Sequence, residues 1–192
     1  MKSLLIGTVF AIATFLTTLQ VTPRIIMAVA MDRVATNAIS DIQAHPDIRF
    51  RDIVREREGI NVLVSSLAPA DHKLRSVVRP SNDMIYGACV YDLEKAHQGV
   101  LIESPKGRGY SSVSAFAANS DNFYVEDDRA ISDGFRVHIV FDEGQPTPAG
   151  FTRVISPTRK GIALVRILIE EKHRTGEYVE QMSSSRCDPL VQ

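Results

Sequence analysis

The chain has 192 residues, of which 44% are hydrophobic and 23% charged, and its formal net charge is -1. This balance excludes a strongly basic surface whose overall field would gather nucleic acid, so no nucleic-acid partner is expected. Beyond the N-terminal segment roughly 160 residues remain, enough for one core without help from metals or many disulfides.

Met1 and Lys2 are followed by Ser3 to Val21, 19 residues without a charge. As a helix this run would span about 28 Å, close to the thickness of a bilayer's hydrocarbon. Leu4, Ile6, Val9, Phe10, Ile12, Phe15, Leu16 and Leu19 lie all around such a helix, which therefore has no polar face for solvent. The expected reading is an uncleaved single-pass anchor, with Pro23 and Arg24 at the interface and Ile25 to Met31 as an interfacial helix. A signal peptide cleaved at Ala28-Val29-Ala30 is the alternative, which would leave a secreted protein. Lys2 on one side and Arg24, Asp32 and Arg33 on the other give a weak positive-inside bias. The short N-terminal tail favours the tail inside and the large domain outside, which in a Gram-negative bacterium means the inner (cytoplasmic) membrane and the periplasm.

The sequence divides into an anchor and interfacial segment at 1–30, a polar stalk or covering helices at 31–60, and a β domain at 61–192. Arg51 to Glu58 alternates in sign, the pattern of a solvated helix face. Asp47 is placed to cap a short helix ending near Arg57, with Gly59 as its stop. From Asn61 the pattern turns to period two with β-branched runs. Strands are expected at 61–64, 85–93, 99–103, 110–118, 122–125, 135–142, 151–155 and 161–170, and a closing helix at 175–183. Turn chemistry separates them at Ser104-Pro105-Lys106-Gly107, Asp133-Gly134, Gln145 to Pro148 and Ser156-Pro157-Thr158. Short strands at this spacing, with no alternating helices, predict a mainly β fold, a β-sandwich or jelly-roll-like domain behind an N-terminal transmembrane helix.

Arg79-Pro80-Ser81-Asn82-Asp83-Met84-Ile85-Tyr86 resembles a signature of the bacterial family called domain of unknown function 1254 (DUF1254). Asp92-Leu93, Gly107-Arg108-Gly109-Tyr110-Ser111, Asp121 to Tyr124, and Ser156-Pro157-Thr158 with Arg166 continue the likeness in order over about residues 77 to 182. The short membrane-anchored form of that family is similar at Val21-Thr22-Pro23-Arg24. Met84 and Gly109 depart from the family's usual Thr and Tyr. The resemblance implies a jelly-roll β-sandwich, often oligomeric, with no established reaction. Longer relatives continue into a second domain, called domain of unknown function 1214 (DUF1214), and a partner carrying that domain is expected by analogy.

The densest polar cluster is Arg79, Asn82, Asp83, Tyr86, Arg108 and Tyr110. An Asp83–Arg108 pair there would provide a general base or an anion site. The structural alternative is that residues 80–83 form a turn in which Asp83 satisfies backbone N–H groups. His45, His72, His97, His138 and His173 lack metal-ligand spacing, so no metal or cofactor is expected. Cys89 and Cys187 would pair in an oxidising compartment, or else remain two inert thiols. The leading reading is a non-catalytic envelope module that binds a partner or small molecule; the rival is a hydrolase or lyase using Asp83, Arg108 and Tyr110.

Overall fold

The computed structural model describes residues 2–40, 47–65, 67, 81–129 and 131–191. Helix α1 (Lys2–Ser40) opens the chain and runs unbroken across the boundary expected near residue 30. Among the described residues it is one helix long and apolar enough to cross a membrane, compatible with an anchor or a signal sequence. Its large apolar residues from Ile6 to Ile26 are all exposed. Thr14, Thr17 and Thr18 donate their hydroxyls to the carbonyls of Phe10, Ala13 and Thr14, so these polar groups are satisfied within the helix. Pro23 removes one backbone donor, yet the helix continues through it.

At Met27 the helix changes character. Met27, Ala30, Met31, Val34, Ala35 and Ala38 recur at helical spacing and form one stripe. The stripe packs against Val90, Ile162 and Phe116, and at its far end against Val54 and Val62. Residues 31–38 thus cover the sheet rather than stand off from it. Val54 comes from α2 (Ile48–Glu56), whose first turn is capped by Asp47 accepting from the Arg49 N–H at 2.8 Å.

Nine strands among the described residues form two sheets. The first has the order β1 (Leu63–Ser65), β2 (Met84–Asp92), β8 (Lys160–Leu168), β4 (Ser111–Ala117) and β5 (Asn122–Asp127), all antiparallel. The second has the order β7 (Thr152–Ile155), β6 (Gly134–Val140), β3 (Val100–Pro105) and β9 (Arg186–Pro189), in which only β6 and β7 run parallel. Alternation places Ile85, Cys89, Tyr91, Val113, Ala115, Val165 and Ile167 of the first sheet in one core with Val100, Ile102, Phe135, Val137, Ile139 and Cys187 of the second. The short helix α3 (Thr175–Ser183) adds Tyr178 and Met182 to that core. The chain is therefore mainly β, two sheets over a shared core, with a long apolar N-terminal helix.

Tyr91 shows how closely the core is fitted. Its hydroxyl lies 2.9 Å from Ser156 Oγ and 3.3 Å from the Phe116 carbonyl, and Ser156 Oγ donates to the Thr158 carbonyl at 2.6 Å. Burial pushes the Tyr91 phenol up to about 12, so it remains a neutral donor. The ring lies against Gly161, where a Cβ would come within 2.2 Å of both the Tyr91 oxygen and the Phe116 carbonyl. Only glycine leaves room for this arrangement.

Strand β9 carries no periodic signal in the sequence. It is held three ways: by pairing with β3, by Arg57 Nη1 on Asp188 at 2.9 Å, and by a disulfide from Cys187 to Cys89 on β2, with Cα atoms 6.3 Å apart. The bond joins the two sheets through the core across a sequence separation of 98. Replacing both cysteines by alanine is expected to lower unfolding stability by about 4–5 kcal/mol, the chain-entropy value for a loop of this length. Denaturant titration of the oxidised wild type against the double variant measures it, and equal midpoints would contradict the disulfide's role.

Candidate functional site

The structure distributes the expected cluster along one end of the first sheet without closing it. Arg79 lies outside the described residues, as do His45 and His72. Ser81, Asn82 and Asp83 form the turn into β2: Ser81 Oγ accepts from the Asp83 N–H at 3.4 Å, and the Ser81 N–H donates to the Tyr86 hydroxyl at 3.1 Å. Asn82 is exposed in this turn. Asp83 faces Lys172 at 3.7 Å, and Arg108 pairs with Glu177 at 3.3 Å, with all four side chains substantially exposed. Tyr110 is engaged through its backbone, its N–H donating to Glu170 Oε1 at 3.2 Å and its carbonyl accepting from the Leu168 N–H at 2.8 Å.

The expected Asp83–Arg108 contact is thus not formed. The two strand starts do share a sheet end, but β8 lies between them, and β3, which follows β2 in the chain, belongs to the other sheet. Two strand spacings, about 10 Å, separate β2 from β4. Arg108 instead lines a shallow cleft of about 440 Å³ with Lys106, Glu177 and Gln181, and this cleft includes neither Asp83, Tyr86 nor Tyr110.

What the register does bring together is a polar row. On the outward face of the first sheet Tyr86 pairs with Arg166, Arg166 with Ser112, and Ser112 with Asp127. Ser112 is fully buried and its hydroxyl has no hydrogen-bond partner. The Arg166 guanidinium donates from Nη2 to Ser114 Oγ at 2.7 Å, while its buried Nε has no partner. The signal for this row was present in the sequence: Ser112 and Ser114 alternate on one strand, and Arg166 stands between Val165 and Ile167 on another. Which strands neighbour one another was not readable from it.

His138 sits on the outward face of the second sheet and is nonetheless fully buried. Its Nε2 is 2.8 Å from the Gln98 carbonyl and its Nδ1 is 3.1 Å from Thr147 Oγ1. A carbonyl only accepts, so Nε2 carries a proton; in the neutral imidazole Nδ1 then accepts from the threonine hydroxyl. Burial holds its pKa below the ordinary histidine value, helped by the Arg153 charge and opposed by the Gln98 carbonyl. At Gly99, φ is +100° and a Cβ would meet His138 Nε2 at 2.4 Å, so this packing also depends on a glycine. Among the described residues no group of three or more His, Cys, Asp or Glu side chains is placed to hold a metal ion.

Fold and surface together define a mainly β, two-sheet module with a disulfide in its core and an apolar N-terminal helix docked on one sheet. The chain belongs to the DUF1254 family, described as a protein of unknown function, whose model matches residues 60–189. No curated protein matches it. Among solved structures it is similar to a protein from Vibrio parahaemolyticus, at 13% identity and a TM-score of 0.54, over 85% of this chain and 38% of that one. An uncharacterised Burkholderia cenocepacia protein is similar at 15% identity and a TM-score of 0.43, over 62% of this chain and 35% of that one. The first likeness supports the fold alone, and the chain spans well under half the length of the Vibrio protein.

Two outcomes follow from this geometry. Because the ion pairs of Asp83 and Arg108 are exposed, Asp83→Ala and Arg108→Ala are each expected to shift stability by no more than about 0.5 kcal/mol in denaturant melts. A loss of several kcal/mol would mean a buried role for these groups. For His138, the unfolded chain binds the proton more readily than the folded one. Its contribution to stability is therefore complete above the unfolded pKa, about 6.5, and is lost as pH falls through the lower folded value. His138→Gln should flatten the fall in stability as pH drops below about 6.5 relative to wild type; parallel curves would show that His138 takes no part in it.

Proposed function

We propose that this chain is a single-pass, membrane-anchored module of the bacterial envelope, whose two sheets form a β-sandwich of jelly-roll type on the periplasmic side and act in binding or structure. The observation that carries the reading is the division of α1 into an exposed apolar part up to Ile26 and a docked part from Met27. Water does not favour an apolar helix left bare on all sides, whereas lipid does. The docked part also argues against cleavage. Removing the chain through Ala30 would strip Met27 and Ala30 from their packing on Val90 and Ile162. A core disulfide fits an oxidising compartment and so favours the outer side of the membrane.

The module reading is preferred over a hydrolase or lyase because Asp83, Arg108 and Tyr110 are each engaged with different neighbours, with no shared position for a substrate. By analogy with longer members of the family, a partner protein carrying a DUF1214-type domain is one kind of assembly to test for, and self-association into a homo-oligomer is the second. The protein is expected to fractionate with membranes at full mass, to resist extraction by high salt and to be released by detergent. Immunoblotting after fractionation and intact-mass measurement decide it; a soluble form beginning near Met31 would replace the anchor with a signal peptide.

A further inference from the structure

The row Tyr86–Arg166–Ser112 holds a positive charge and several donors that the chain itself leaves underused. Among the described residues the Arg166 guanidinium has no carboxylate partner. Its Nη2 is engaged with Ser114, while Nε, on the edge that carboxylates and phosphates use for side-on pairing, is unpartnered. Ser112, one strand over in register, is fully buried with its hydroxyl unpartnered. Tyr86, one strand over on the other side, accepts from the Ser81 N–H and has only the Met84 sulfur, at 3.5 Å, to receive its own proton. A thioether is a weak acceptor, so this donor too is largely unspent.

A partly buried guanidinium without a counter-charge, beside a buried hydroxyl without a partner, is costly unless something else completes the set. We propose that this row is a binding site for a small oxyanion, a carboxylate or a phosphate, seated on the Nε edge of Arg166 between Ser112 and Tyr86. The acidic group in this row is Asp127, beyond Ser112, and its Oδ1 accepts from the Arg129 N–H instead of reaching Arg166. It confines negative charge to the Tyr86 side. There Met84, Ala88 and Leu168 are half-buried and flank the row, which suits an anion with a small apolar body. In the free chain the Arg166 arm crosses diagonally from β8 to Ser114 on β4, two residues along from its register partner Ser112. Ligand entry requires that arm to leave Ser114. The site stands independently of how the chain is held at a membrane.

The test is calorimetric titration of the full-length protein in detergent, in chloride buffer, with sodium acetate and with inorganic phosphate as separate probes. Saturable binding of at least one anion is expected, weakened about tenfold or more in Arg166→Gln and several-fold in Ser112→Ala. Ser114→Ala removes the internal competitor for the guanidinium and should tighten binding. The preferred probe distinguishes a carboxylate ligand from a phosphate ligand. Absence of saturable binding by both anions overturns the proposal, as does binding that Ser112→Ala and Arg166→Gln leave unchanged. If Arg166→Gln does not fold, the opposite responses of Ser112→Ala and Ser114→Ala carry the decision, and equal effects of the two overturn it.

Discussion

Strand β8 is hydrogen-bonded along both edges, to β2 from Met84↔Leu168 through Asp92↔Lys160 and to β4 from Ser111↔Ile167 through Ala117↔Gly161. Much of the rest depends on that double register. Ala163, Val165 and Ile167 face the shared core, while Ile162 and Leu164 face α1 and Arg166 faces outward beyond it. A slip of one residue would turn Arg166 into the core and Val165 out of it, so burial on both faces fixes the pairing far more strongly than the backbone bonds alone. At the strand's first residue Lys160 reaches Asp92 at 3.1 Å and Glu94 at 3.2 Å. The Asp92 and Glu94 carboxylates hold the lysine above its ordinary pKa, with Asp92 the larger influence. Asp92 itself accepts from the Glu94 N–H, and its backbone is clasped by the Asn61 amide.

Much of this was legible in the sequence because its signals are local. The turns Gly107-Arg108-Gly109 and Ser156-Pro157-Thr158 delimit β4 and β8, and Asp47 with Gly59 brackets α2. Thr175 to Ser183 forms the closing helix expected there. What could not be read is what depends on neighbours. Residues Arg186 to Pro189 carry no alternation, and they become a strand because Cys187 and Asp188 are tied down from elsewhere. The docking stripe from Met27 to Ala38 has helical spacing, but its alanines are weak hydrophobic markers amid Asp32, Arg33 and Asn37. The site suffered most. Asp83 and Arg108 are near in sequence pattern and separated by a strand that arrives some fifty residues later, while Tyr86, Arg166 and Ser112 are distant in sequence and adjacent in the sheet.

The buried polar arrangements at Tyr91 and His138 are closed, whereas that at Arg166 and Ser112 is open. Tyr91 with Ser156, and His138 with Gln98 and Thr147, have their donors and acceptors matched within the chain, and each is locked by a glycine that leaves no room for rearrangement. Such groups specify the fold. The outward row around Arg166 and Ser112 lacks that closure, and this is the physical difference between a polar group that serves packing and one available to something else.

The continuity of α1 has a mechanical consequence. A chain tethered by a soft linker explores a volume around its attachment point and meets partners at any angle, with a reach that grows as the square root of linker length. Here the helix that leaves the apolar segment is the same helix that lies on β2 and β8, gripped by side chains from Met27 to Ala38. No swivel intervenes. On the anchored reading the domain behaves as the head of a strut: its height above the bilayer and the compass direction of each face are set by the helix, and tilting or rotating the helix within the lipid would turn the whole head with it.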